Sequence, residues 1–340
     1  MNDILCVGID LGTSRSSISA SNGERHVIDS YAGWPVDAVA RKLVKKPVLV
    51  GREALDNRSM LDLRRPLEQG LIKEGSEKDE QAVQEILRHL MSLTGIKQKG
   101  KTRPKVRAVV GVPAGALRVS RQRLRGIMDG IADSLMLVSE PFAVAYGLDA
   151  LLHALIIDIG AGTADLCVMQ GRYPTEDDQH TLPYAGDWIE EQLAKLVRER
   201  HPDARFSVHM VREWKEQWSF VGEPTERVRV TMPIGGKWTE LDITDEMRTA
   251  CESILPPICE TMADLITRVP PEYQDRVRNN VILAGGSSPI SGLSAALDRA
   301  LAELGGGRTS LVPDPVFAGS DGGLQLARDA STGDWEKLAA

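Results

Sequence analysis

Residues 156–169 read IIDIGAGTADLCVM: an apolar run, Asp158, a turn almost bare of side chains, Asp165, and a second apolar run. The glycines suggest a dinucleotide fingerprint first, but that motif needs a third glycine and a helix behind it. Asp165 stands where the third glycine belongs, and LCVM is too short and apolar to open a surface helix. Strand, tight turn, strand fits better. A bare turn lets backbone N–H groups approach a ligand, and such concave arrays favour anions. Two acids beside an anion would repel it unless a cation intervenes. Phosphate with a divalent metal is therefore one reading of the stretch, and an ordinary glycine hairpin is the other.

The N-terminus repeats the pattern. Residues 7–20 read VGIDLGTSRSSISA, so that Asp10 aligns with Asp158, Gly12 with Gly160, Thr13 and Ser14 with Ala161 and Gly162, and Ser17 with Asp165. The copies lie too far apart for a solenoid or propeller period. What remains is two similar halves, each offering a phosphate-binding hairpin, with a nucleotide expected where the halves meet. The hydroxyls of Thr13, Ser14, Ser16 and Ser17 make the first turn a good phosphate contact, whereas Arg15 reads as an exposed surface charge.

A chain of 340 residues holds two domains of ordinary size. Hydrophobic content of 42% and charged content of 26% are those of a soluble globular protein. A net charge of -7 argues against general nucleic-acid binding. No apolar run approaches a membrane span, and MNDILCVGID enters a strand without a signal-peptide pattern or an amphipathic helix. Cys6, Cys167, Cys251 and Cys259 form no C-x-x-C pair, and the six histidines form no ligand pattern. Buried, reduced thiols are expected, which points to the cytoplasm.

Strand-like runs alternate with helical periods, as in an α/β architecture with mixed sheets. Residues 80–94 place Val83, Ile86, Leu87, Leu90 and Leu93 at helical spacing. Residues 187–200 and 246–268 behave similarly, with Pro256-Pro257 expected to break or kink the latter. Residues 32–65, 95–105 and 190–244 look like insertions: the first carries a short strand, the second is a basic surface loop, the third holds a helix, REWKEQW and a two-strand pattern. The end after Gly333 reads as a short polar tail.

A third element follows at residues 281–293, VILAGGSSPISGL, where a buried strand ends in Gly285-Gly286. A glycine pair there lets a flat ligand lie against backbone, although a plain strand-to-helix turn looks the same in isolation. In this order the three motifs resemble the actin, sugar kinase and Hsp70 ATPase superfamily: VGIDLGTSRSS its first phosphate loop, IIDIGAGTAD its second, VILAGGSSPI its adenosine loop. The likeness spans nearly the whole chain. Bacterial actins fit best, on RRPLEQGLIKE, VSEPFAVAYGL, PYAGDWIEEQL and FVGEPTE. Among them the actins of magnetosome filaments are most similar, through AVARKLV, RSMLDLRRPLEQGL, WKEQWSFVG and DPVFAGSDGGLQLA. AGGSS replaces a richer glycine run of that group.

The resemblance implies an actin-like ATPase fold, two similar RNase H-like domains around a nucleotide cleft. Subdomain IA would comprise residues 1–31, 66–145 and 315–340, IB 32–65, IIA 146–189 and 245–314, and IIB 190–244. It further implies ATP or ADP with Mg²⁺ as ligands, and roles for individual residues. Asp10 and Asp158 would organise Mg²⁺, through water. Gly12, Thr13, Ser14, Gly160, Gly162 and Thr163 would bind phosphates. Arg212, Lys215 and Glu216 would frame adenine and ribose, although by sequence alone they read as a solvated helix face. Gly285, Gly286 and Ser287 would contact adenosine. Asp165 would be a second water-positioning site. Glu140 closes the strand SLMLVS just before Pro141, which suits the first turn of a helix. Strand C-terminal ends face the ligand crevice in open α/β sheets, so Glu140 would orient the water that attacks the γ-phosphate. A plain helix-start acid, favoured by the dipole, is the competing account.

The function implied is a cytoplasmic, cytoskeletal ATPase that polymerises head to tail with ATP and turns over on hydrolysis. Its chief partner would be itself, with a magnetosome or cargo adaptor besides, no nucleic acid and no direct membrane anchor. In the magnetosome setting the filament would lie along the magnetosome chain. A cell-shape or plasmid-segregating actin is the alternative. A small-molecule kinase would need a substrate pocket for which 32–65 and 190–244 are small, and a chaperone ATPase a further domain. ATP against GTP stays open.

Overall fold

The computed structural model describes residues 4–73, 76–95 and 104–338. The first hairpin begins a five-stranded sheet. Strand β1 (Ile4–Leu11) turns back as β2 (Arg15–Ala20), with Asp10 opposite Ser17, and β3 (Arg25–Asp29) continues antiparallel. On the other side of β1 lie β4 (Lys105–Val112) and then β5 (Ser134–Ser139), both parallel. The order is β5-β4-β1-β2-β3. β1 is central, so it is buried on both faces and reads ILCVGIDL, nearly all apolar.

The second hairpin begins another sheet of the same plan. Its strands are β6 (Leu152–Ile159), β7 (Ala164–Gln170), β8 (Gln179–Leu182), β9 (Val281–Ala284) and β10 (Thr309–Leu311), in the order β8-β7-β6-β9-β10. Both sheets thus run third, second, first, fourth, fifth, and the duplication read from the two Asp-Gly turns extends to the whole sheet. The chain divides into two compact units, Met1–Leu152 with Met169–Asp177 and Pro313–Ala340, and His153–Val168 with Asp178–Val312.

In the first unit, helix Glu77–Leu93 starts on Ser76, whose hydroxyl accepts from the Asp79 N–H, and buries Val83, Ile86, Leu87 and Leu90 as its spacing predicts. Glycines control how closely two other helices pack. A side chain at Gly8 would overlap the Ser320 carbonyl and the Leu324 backbone nitrogen, and one at Gly322 would overlap the Ala143 carbonyl. Helix Ala318–Asp329 therefore lies against both β1 and helix Glu140–Gly147 at backbone distance. The C-terminal segment is not the plain polar tail expected. It forms helix Thr332–Leu338, with Trp335 buried and the Arg107 guanidinium 5.5 Å from its ring centre. A lone tryptophan among polar residues gives too little periodicity to announce a helix.

The insertion at 32–65 holds more structure than one short strand. Ala32–Pro35, Leu49–Val50 and Leu61–Arg64 form a three-stranded sheet beside helix Ala38–Val44. The basic loop at 95–105 falls mostly on residues 96–103, outside the described residues. In the second unit, residues 244–268 form two helices, Thr244–Glu252 and Leu255–Arg268, because the proline pair fits only a first helical turn. Helix Val208–Trp218, capped by Ser207, and the hairpin Arg229–Ile234 with Lys237–Asp242 fill the third insertion.

Candidate functional site

In the first unit, candidate residues gather at the C-terminal ends of β1 and β5. Asp10 pairs in register with Gly111 of β4, and Gly111 with Val138 of β5, two residues before Glu140. Glu140 opens helix Glu140–Gly147 directly, with Pro141 behind it, as its sequence position predicts. Asp10 is half-buried, and burial pushes its carboxyl up to about 6. Gly319 comes so near that a side chain there would stand 3.3 Å from Asp10 Oδ2.

The first turn is braced from beneath. Gly12 leaves no room for a side chain against the Arg15 carbonyl, and its own carbonyl accepts from the Ser30 hydroxyl at 2.7 Å. The Thr13 hydroxyl accepts from the Gly70 N–H at 3.1 Å, and the Thr13 carbonyl accepts from Arg65 Nε at 3.1 Å. The Ser14 carbonyl accepts from the Ser30 N–H. The segment RRPLEQG thus holds the turn in shape, a role its sequence does not announce. Ser16 and Ser17 differ from expectation. Both hydroxyls are buried, Ser16 on Ser30 at 2.8 Å and Ser17 on Ser320 at 3.0 Å, so they serve packing and not a phosphate. Alternation along β2 sends the two side chains to opposite faces, Ser17 onto helix Ala318–Asp329 and Ser16 onto Ser30, the residue that follows β3. Arg15 is exposed beside Asp29, as read.

In the second unit, three separate segments converge. Gly160 N–H donates to the Thr163 carbonyl at 2.9 Å and closes the turn in which Gly162 and Thr163 are buried. The first N–H groups of helix Gly186–Arg200 donate to the carbonyls of that turn, Gly186 to Gly160 and Asp187 to Ala161. The adenosine-loop candidate is stitched to the same place: the Ser287 hydroxyl donates to the Gly160 carbonyl at 2.8 Å and its N–H to the Ile159 carbonyl at 2.9 Å. Gly285, at φ +83, lies against Asp158, where any side chain would collide with the carboxylate. Asp158 pairs in register with Ala284, so Gly285 follows at the same strand end. Gly286 has open space where a side chain would stand. Asp165 is fully buried and accepts from the Thr181 hydroxyl at 2.5 Å.

Arg212 and Lys215 are not a solvated face. Both are held by Glu190, which reaches from helix Gly186–Arg200: Lys215 Nζ lies 2.7 Å from its Oε1, and Arg212 donates through two nitrogens, at 3.1 and 3.2 Å. Asp187 stands 3.6 Å from Arg212. Burial alone would raise the Glu190 carboxyl, but Lys215 and Arg212 together outweigh that and hold it below the usual carboxylate range. Glu216, one position on, is exposed. Glu190 was invisible as a site residue in the sequence. Its only signal is a carboxylate next to Ile189 on the apolar stripe that Leu193 and Val197 continue.

The donor set suits a hard, hydrated cation. Among the described residues no group of three His, Cys, Asp or Glu could hold a metal ion. Mg²⁺ needs none, since one or two carboxylates with waters and phosphate oxygens complete its octahedron. Asp10, its carboxyl raised by burial, has a reason to meet a cation. All four cysteines are free thiols, and no helix among the described residues is long and apolar enough to cross a membrane.

Known proteins resemble this chain along nearly its whole length. The MreB/Mbl protein family matches over residues 5–323. The actin-like protein MamK of Paramagnetospirillum magneticum is 39% identical over 336 residues, covering 98% of this chain and 95% of the relative. A solved MamK double helical filament superposes with a TM-score of 0.93 at 37% identity, over 97% of this chain and all of the other. A non-polymerising MamK mutant bound to AMPPNP is similar at a TM-score of 0.73, 38% identical over 97% of this chain and all of the other.

Proposed function

This chain belongs to the MreB/Mbl family of actin-like proteins, alongside the MamK proteins, and from that premise we propose that it is a filament-forming ATPase. The observation that carries the reading is the full-length likeness to the MamK double helical filament. The duplicated Asp-Gly hairpins and the AMPPNP-bound relative support ATP as its nucleotide. Head-to-tail contacts that do not close give open filaments. By kinship with MamK, the filament positions magnetosomes, with an adaptor as its link to cargo.

The chemistry is phosphoryl transfer to water, for which a protein mainly positions groups and compensates charge. Backbone N–H groups of the Gly12–Ser14 turn and of Gly162 and Thr163 bind the phosphates, while the Gly160 N–H, held by the Thr163 carbonyl, keeps the second turn closed. The Ser287 hydroxyl donates to the Gly160 carbonyl and so shapes its turn, whereas the Thr13 hydroxyl accepts from the Gly70 N–H and keeps its own proton for a phosphate oxygen. Asp10 and Asp158 would hold Mg²⁺ through water, and the ion would supply charge compensation for the phosphates. Glu140 orients the attacking water; a carboxylate does this without being a strong base. Asp165, tied to Thr181, is its second water-positioning group. Arg212, Lys215, Glu216, Gly285, Gly286 and Ser287 receive the nucleoside. Within each unit, residues 32–65 and 190–244 form the smaller subdomains IB and IIB, and the two sheet-bearing parts IA and IIA.

Phosphate release by the full chain tests the assignments. Glu140→Ala is expected to keep ATP binding and assembly while release slows about a hundredfold. Asp158→Ala is expected to impair Mg²⁺-dependent turnover. Unchanged hydrolysis in Glu140→Ala would remove Glu140 from the mechanism, and undiminished Mg²⁺-dependent turnover in the other would do the same for Asp158.

A further inference from the structure

Glu190 is a buried carboxylate that the proposed chemistry does not use. It stands one turn into helix Gly186–Arg200, whose first two N–H groups are tied to the Gly160 turn. From there it takes the Lys215 ammonium at 2.7 Å and two guanidinium nitrogens of Arg212. Both Glu190 and Lys215 keep only 8% of their surface, a setting in which an uncompensated charge is strongly disfavoured. The site requires the ammonium to be close. A side chain at Gly186 would stand 3.0 Å from Lys215 Nζ, 2.9 Å from Ser287 Oγ and 3.3 Å from the Ala161 backbone. The Lys215 ammonium, the Ser287 hydroxyl and the Ala161 backbone of the phosphate turn therefore all border Gly186 at the helix start. An ammonium has three donors, and Glu190 takes one of them.

We propose that Glu190 is the positioning residue for the nucleoside end of the nucleotide site. It aims Lys215 and Arg212 while cancelling charge, so that Lys215 acts on the ribose and base as a compensated hydrogen-bond donor and not as a counter-charge for the polyphosphate. This rests on reading the site as one for ATP. The alternative, a pair that merely stiffens the helix packing, makes no distinction between the two ends of a ligand.

The test compares two probes on the full chain by calorimetry: ATP and inorganic tripolyphosphate, which lacks a nucleoside. Glu190→Gln frees the ammonium and guanidinium from their aim and adds positive charge. It is expected to weaken ATP about tenfold and to leave tripolyphosphate as tight or tighter. A structural role would weaken both in parallel, and that outcome, or no change in ATP, overturns the inference. Because removing one partner of a buried pair can prevent folding, the double variant Glu190→Gln with Lys215→Met provides a second, charge-balanced comparison. It is expected to lose ATP affinity to the same extent with tripolyphosphate unchanged; ATP as tight as in the unsubstituted chain overturns the inference. If the unsubstituted chain binds tripolyphosphate and ATP equally, or ATP not at all, the functional reading fails as well.

Discussion

Asp10 shows how burial couples one proton to the fold. Burial disfavours its charge and pushes the carboxyl up to about 6, against 3.8 for the free group. The folded, metal-free protein therefore holds this proton more tightly than the unfolded chain. Its contribution to stability is full below about 4 and is lost as pH rises through about 6. If Asp10 organises Mg²⁺ as proposed, the ion needs the ionised carboxylate, and metal and proton compete for one group. Thermal unfolding with and without Mg-ATP checks this: the stabilisation by Mg-ATP is expected to be small at about pH 5 and to reach its plateau above about pH 7. Asp10→Asn is expected to flatten that profile, and a stabilisation independent of pH would exclude Asp10 as a metal organiser. At this scale the sequence spoke clearly wherever backbone defines the site. Asp10, Asp158, Gly160 and Gly285 stand at strand ends and turns that local pattern predicts. It was silent on Glu190 and misleading on Ser16 and Ser17. A buried ion pair depends on how two successive helices fold back on each other, and a hydroxyl's partner depends on what packs over the strand.

Among the elements, helix Ala318–Asp329 governs the first unit. Its glycines let it touch β1 at Gly8 and helix Glu140–Gly147 at Ala143, while Gly319 walls the Asp10 carboxylate. Ser320 accepts the Ser17 hydroxyl, and Arg25 pairs with Asp321 at 2.7 Å, so the first turn of this helix is pinned to the hairpin. Gly322→Ala forces a methyl into the Ala143 carbonyl, and overpacking of this kind costs about 1–3 kcal/mol. A lower Tm together with slower hydrolysis is expected, since Glu140 begins the displaced helix; an unchanged Tm would show that the helix moves freely. The string DPVFAGSDGGLQLA supported the resemblance, but its packing role could not be read from it. Glycine inside a helix looks like a weakness until the partner backbone is known. The proline pair at 256–257, by contrast, broke its helix as local sterics demand.

For the whole molecule, duplication is the organising fact. Two sheets share one strand order, and each sheet starts from an Asp-bearing hairpin. That much was legible because hairpin and strand signals are local. The extent of the small sheet at 32–65 and the helix around Trp335 were not, since short elements owe their existence to what they pack on. Light scattering of the purified full chain on adding Mg-ATP, with phosphate followed in the same cuvette, tests the central claim most directly. The account predicts a rise only above a threshold protein concentration, then phosphate release, then decay of the scattering. No rise at any concentration, with ATP converted to ADP only when a hydroxyl-bearing small molecule is added and the phosphoryl group passed to it without release of free phosphate, would contradict it.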